Sequence, residues 1–172
     1  TPHWEAVEQR LGVQEWPESS VNANNKVLFD GARKLGWEVS PIRRTVVGCM
    51  NTGYCGLGCP VDGKQGMAIT YLKDAVAAGV RVYSNTRATH LERQGDRITA
   101  VEAEVLDPGT ERPSGVGVRV RPKLVVSSGG AVGSSALLLR SNINGNGRVG
   151  KRLWMHPVLG LPALYPHTID GY

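Results

Sequence analysis

The stretch from Lys123 to Ser141 constrains this chain more than any other. Leu124-Val125-Val126 is a continuous apolar run lying between Pro122 and the pair Gly129-Gly130. An uninterrupted aliphatic run of this length predicts a strand buried on both faces. A helix is predicted directly after it, over Val132–Ser141, with Ser134, Leu137, Leu138 and Ser141 on one side. A strand, a glycine turn and a helix in so few residues make half of a βαβ unit. Composition supports the same class. Glycine accounts for 22 of the 172 residues, well above the usual ~7%. With one Phe in the whole chain, the core must rest on Val, Leu, Ile and Ala. Glycine turns between aliphatic strands point to an α/β scaffold of nucleotide-binding type rather than a helical bundle.

The remaining elements are read from periodicity and punctuation. Residues 1–21 form an irregular lead with a short helix over Glu5–Arg10. Asn22 or Asn24 can cap a helix from about Asn25 to Leu35, which Gly36 stops. Trp37–Ser40 reads as a short strand ended by Pro41. A loop over 45–66 holds all three cysteines. Met67–Ala78 reads as a helix and Val80–Ser84 as a strand. Thr86–Arg93, Ile98–Leu106 and Val116–Val120 then read as an antiparallel meander, separated by Gln94-Gly95-Asp96 and the polar stretch Asp107–Gly115. In its middle strand, Thr99, Val101, Ala103 and Val105 share one face, and Ala100, Glu102 and Glu104 the other. No internal repeat is present, and the one low-complexity stretch is the loop Asn142–Gly150.

Several function classes are excluded or disfavoured. No run approaches the ~18 apolar residues of a membrane-spanning helix. The net charge of +5 is scattered, without the basic stripe and interleaved aromatics of a nucleic-acid surface, so no nucleic-acid partner is expected. The hydrolase signatures G-x-S-x-G and H-E-x-x-H and the phosphate-binding P-loop are missing. The chain starts at Thr1 with no signal-like segment and closes on Pro, His and Gly, which reads as a piece of a longer polypeptide. Such a piece is expected to expose apolar surface and to be capable of self-association. Three cysteines suit a reducing cytoplasm, the preferred compartment on this reading, or a single disulfide elsewhere.

Three groups of residues could carry chemistry. Gly129-Gly130 sits where a strand gives way to a helix, a place where bare backbone can approach a phosphate or ribose. The same glycines could simply permit a sharp turn. Gly133 extends them only to G-G-x-x-G, short of the full dinucleotide fingerprint. Cys49, Cys55 and Cys59 form C-x5-C-x3-C-P. They read as buried structural residues or a local disulfide, or as thiolates holding a metal or iron–sulfur cluster. His156, ahead of Pro157, is either structural or a polar group near a cofactor.

Taken together these residues resemble one family. Gly53-Tyr54-Cys55-Gly56-Leu57-Gly58-Cys59-Pro60, then Gly63-Lys64-Gln65 and Thr70-Tyr71-Leu72, resemble the middle region of the glucose–methanol–choline (GMC) oxidoreductases. The long-chain alcohol oxidase and dehydrogenase branch is the most similar. Gly129-Gly130-Ala131-Val132-Gly133-Ser134-Ser135 with Leu137-Leu138-Leu139-Arg140-Ser141 resembles the second signature of that family. Val149-Gly150-Lys151-Arg152-Leu153 and His156-Pro157 resemble the stretch that follows it. The resemblance covers roughly residues 20–160.

The resemblance implies an α/β fold: part of an FAD-binding, Rossmann-like sheet with an antiparallel three-stranded meander and a Cys/Gly-rich loop. It implies one partial domain over 1–172, with helix, cysteine loop and helix at about 20–79 and part of the FAD-binding domain at about 80–160. The implied reaction is FAD-dependent oxidation of a small-molecule alcohol, hydride passing from the carbinol carbon to flavin N5. The family's FAD fingerprint and its catalytic His lie outside the matching stretch, so this polypeptide alone is expected to be inactive. Position by position, Ala88 matches a backbone contact to the adenine, where Ala stands for the family's usual Val. Ser128, Gly129 and Gly130 match the strand end beside the cofactor. Some members hold an iron–sulfur cluster on cysteines spaced like Cys49, Cys55 and Cys59. The alternatives to the oxidoreductase reading are therefore an electron-transfer module built on those cysteines, or a non-catalytic α/β interaction domain.

Overall fold

A computed structural model of the chain describes residues 1–169. The described residues form four α-helices, α1 (Pro2–Arg10), α2 (Ala23–Lys34), α3 (Tyr71–Ala77) and α4 (Gly130–Arg140). Five strands accompany them: β1 (Val13–Gln14), β2 (Arg44–Thr45), β3 (Thr86–Gln94), β4 (Arg97–Leu106) and β5 (Pro113–Val120). The class is α/β, with two small antiparallel sheets of order β1-β2 and β3-β4-β5. The chain divides into two compact units: Thr1–Arg81 with the segment that starts at Leu161, and Val82–Gly160.

In the first unit, Pro2 opens α1 with a preset φ, Glu5 lies in its first turn and Arg10 in its last, matching the helix dipole. Gly12, at φ +59°, turns the chain into β1, and a β-carbon there would stand 2.6 Å from Val47 Cγ2. Asn22 caps α2, its Oδ1 accepting the Asn25 N–H at 3.0 Å. Val13 pairs with Thr45 and Gln14 with Arg44. On the other side of β2, the Val47 N–H donates to Gly63 O at 2.8 Å and the Gln65 N–H to Thr45 O at 2.9 Å. These two bonds close the base of the loop that carries the cysteines. Arg10 forks onto Asp74 at 2.5 and 2.8 Å, joining α1 to α3. The guanidinium holds the Asp74 carboxyl below the usual carboxylate range, but the pair is exposed and adds little stability.

In the second unit, the meander follows the alternation of its sequence. Thr86 pairs with Val105, Ala88 with Ala103 and Leu91 with Val101 across β3 and β4, and Ala103 pairs with Val118 across β4 and β5. Asp107 Oδ1 accepts the N–H groups of Gly109 and Thr110 at 3.0 and 2.8 Å, which shapes the turn into β5. Helix α4 packs on β3. Ser141, just past its end, joins the two: Ser141 Oγ accepts the Leu91 N–H at 2.8 Å and donates to Leu137 O at 2.7 Å. The buried apolar side chains of this unit are Leu91 and Ala100. Ala100 lies on the face that alternation assigns to Glu102 and Glu104. Arg119 of β5 reaches Glu92 of β3 at 2.5 Å on that face, so an ion pair spans β4 beside the alanine.

Four expectations are corrected. Trp37–Ser40 and Val80–Ser84 are irregular rather than strands. Met67–Thr70 is a turn leading into α3, because Thr70 Oγ1 donates to Gly66 O at 2.8 Å and competes with helical pairing there. Most consequentially, Lys123–Ser128 is not a buried strand: it carries no ladder, and Leu124 and Val126 are 80% and 77% exposed. A strand exists only by its neighbours, and the described residues offer this segment none. Leu124, Val126 and, in the helix that follows, Val132 therefore leave apolar side chains exposed.

Candidate functional site

The second unit carries the predicted cofactor residues on two elements that pack together. Gly129 occupies the N-cap of α4 and Gly130 its first position, the latter at φ +73°. Among the described residues no side chain caps this terminus, and no acidic residue lies in its first turn. The leading amides are consequently not screened by the protein's own side chains, and the positive end of the helix dipole is open to a polar or anionic group. A β-carbon on Gly129 would stand 3.3 Å from Ser134 N and 3.4 Å from Ser134 Oγ, so a side chain there would crowd the first turn. Nothing lies within 4 Å of the β-carbon position of Gly130. Ser128, Gly129 and Gly130 are all exposed.

Ala88 is half-buried in β3, the edge strand of its sheet on the side where α4 packs. The ladder slips between Ala88 and His90, leaving Thr89 outside the regular pairing, and Thr89 Oγ1 donates to Glu102 O at 3.2 Å. A bulge bends the strand and takes backbone groups out of the ladder, as a backbone contact to a ligand requires.

The cysteines lie in the first unit, and all three are free thiols, so the local disulfide expected as one alternative is not formed. Nor do they converge as a ligand set. Among the described residues, no group of three or more His, Cys, Asp or Glu side chains is arranged to hold a metal. Each sulfur has its own polar partner instead. Arg44 Nη2 donates to Cys55 Sγ at 3.4 Å, and the Asn51 N–H donates to Cys49 Sγ at 3.4 Å. The backbone N–H groups of Lys64, Val61 and Gly63 surround the Cys59 sulfur and hold its thiol below the ordinary cysteine range. Among the described residues, Cys49, Cys55 and Cys59 thus face separate partners above the closed base of the loop. Because the thiolate is the reactive form, Cys59 is expected to alkylate at lower pH than a cysteine in an unstructured peptide. Iodoacetamide pulses across a pH series, read by peptide mass beside such a peptide, check this, and a Cys59 profile that coincides with the peptide's contradicts it. His156 is exposed, its Nδ1 2.9 Å from Pro157 O.

Two features escape a reading of the sequence. The bond from Leu91 to Ser141 crosses 50 positions, and the stacking of Arg44 on Trp16 crosses 28. No periodicity links such pairs.

The GMC oxidoreductase family model matches residues 1–158. The chain belongs to the GMC oxidoreductase family. An uncharacterised GMC-type oxidoreductase of Mycobacterium tuberculosis is 34% identical over 166 residues, covering 96% of this chain and 25% of that protein. Another of Sinorhizobium fredii is 32% identical over 164 residues, 90% of this chain and 32% of that protein. A long-chain-alcohol oxidase of Arabidopsis thaliana is 30% identical over 167 residues, 94% of this chain and 22% of that protein. The chain thus spans about a quarter of the length of the curated GMC relatives it matches. No solved structure matches it. The matched family domain is FAD-binding, and the junction at Gly129-Gly130 lies inside the matched residues.

Proposed function

We propose that this stretch forms the cofactor-facing part of a longer GMC polypeptide that oxidises an alcohol at its CH–OH carbon. When bound, FAD would supply the hydride acceptor. The observation that carries this reading is the uncapped N-terminus of α4, reached through two consecutive glycines. Residues that leave amides unscreened and keep side chains away from them fit a dinucleotide's polar backbone. Ser128, Gly129 and Gly130 would line the cofactor by main chain, with Gly129 keeping the first turn clear. Ala88, beside the bulge in β3, would offer the adenine a main-chain contact, which tolerates Ala in place of Val because no side chain takes part. The packing of α4 on β3, fixed by Ser141, would set the spacing between these two points. The base that takes the alcohol proton would come from elsewhere in the polypeptide, so these 172 residues bind and orient rather than turn over substrate.

Purified full-length protein carrying this stretch is expected to be yellow, and its flavin band to bleach under anaerobic conditions when a long-chain primary alcohol is added. A colourless protein whose melting midpoint ignores added FAD would refute the cofactor reading. A flavoprotein that no alcohol reduces would refute the substrate reading alone.

A further inference from the structure

The first unit contains a cleft that the flavin reading does not use. Its volume is about 880 Å³, within the range of small-molecule sites. Its walls are mainly apolar: Trp16, Leu28, Phe29, Val39 and Ile42 contribute to them. Among the described residues, Arg44 is the single charged side chain in the lining, and no carboxylate joins it there. The neighbouring arginines are all spent. Arg10 forks onto Asp74, Arg33 onto Glu18 and Arg43 onto Glu8. Arg44 has no carboxylate within ion-pair reach among the described residues. It is nevertheless half-buried and held in place: its guanidinium carbon lies 4.5 Å from the centroid of the Trp16 ring, and Nη2 donates to Cys55 Sγ at 3.4 Å.

We propose that this cleft binds an amphiphile with one anionic group on an apolar body, and that Arg44 receives the anion. A guanidinium keeps its charge at any physiological pH, so an uncompensated one in an apolar wall calls for a counter-anion. The Trp16 ring lies over the group and the Cys55 sulfur takes one Nη2–H, which leaves other N–H donors for a carboxylate or phosphate oxygen. Such charge-assisted bonds are the strong ones, and bracing the side chain beforehand reduces the entropy lost on binding. The aliphatic and aromatic wall takes the apolar body. This inference does not rest on flavin binding, which the second unit carries.

Calorimetric titration of the full-length protein with decanoate, decanol and acetate tests it, with no flavin signal read. Decanoate is expected to bind and acetate not. Between octanoate and dodecanoate, affinity should rise roughly two- to fourfold per methylene. Arg44→Gln should weaken decanoate at least about tenfold while leaving decanol unchanged, with Arg44→Lys recovering part of the loss. Ile42→Asp alters the exposed wall without removing Arg44, so it keeps the question open to experiment should Arg44→Gln fail to fold; it should weaken decanoate more than decanol. Equal affinity for decanoate and decanol, indifferent to both substitutions, would overturn the proposal, as would the failure of decanoate to bind.

Discussion

Valine at position 130 is expected to strip the cofactor from the full-length protein, lowering flavin per polypeptide more than about tenfold. Two effects act together. Gly130 sits at φ +73°, where an L-residue costs about 1–2 kcal/mol and a β-branched one is a severe outlier. Its β-carbon would also project into the open space at the head of α4, the space the proposal gives to the cofactor. Gly133→Ala is the matched control. It lies in the same helix without a positive φ and with nothing within 4 Å of its β-carbon position, so flavin content should stay as in the parent. Absorbance of the purified proteins, set against protein concentration, provides the measurement. If the valine variant keeps its flavin, the helix N-terminus is not the cradle proposed here.

Leu91→Ala is expected to cause the largest loss of stability. Leu91 is 3% exposed and pairs with Val101, on the face of the sheet opposite to Ala100, so the small alanine cannot fill the space it would leave. Truncating a buried leucine costs about 2–5 kcal/mol, through lost transfer free energy and the cavity left behind. In a unit of this size the melting midpoint should fall by roughly 10 °C or more. Leu91→Met, which conserves volume, should cost less than about 1.5 kcal/mol. Thermal unfolding of the three proteins distinguishes packing from backbone, because neither substitution removes the bond from the Leu91 N–H to Ser141 Oγ. A midpoint in the alanine variant equal to that of the methionine variant would show that this leucine is not the support it is taken to be.

Local chemistry was legible in the residues. Asn22 followed by a helical stripe and closed by Gly36 gives α2, because capping and a left-handed stop act within a few positions. The alternation in Ile98–Leu106 and the breakers on either side give the meander, since a strand with one covered face repeats every second residue. The twin glycines before a helix were legible for the same reason. The expected strand at Lys123–Ser128 was not realised. Its apolar run reports correctly that the segment seeks burial on both faces, but pairing partners are non-local, and the described residues supply none. The cysteine spacing was equally silent about direction: three thiols close in sequence face an arginine, an asparagine amide and a set of loop amides.

By itself, the sequence determined where the chain turns, caps and alternates, and through its motifs the family to which it belongs. All of these are written in neighbouring residues, whose steric and hydrogen-bonding preferences act over one or two turns of backbone. Only the tertiary structure decided that Ser141 holds α4 to β3, that Arg44 lies on Trp16, and that an arginine of β5 spans β4 beside Ala100. Those outcomes depend on which distant groups the folded backbone brings within a few ångströms, and no spacing along the chain encodes that distance.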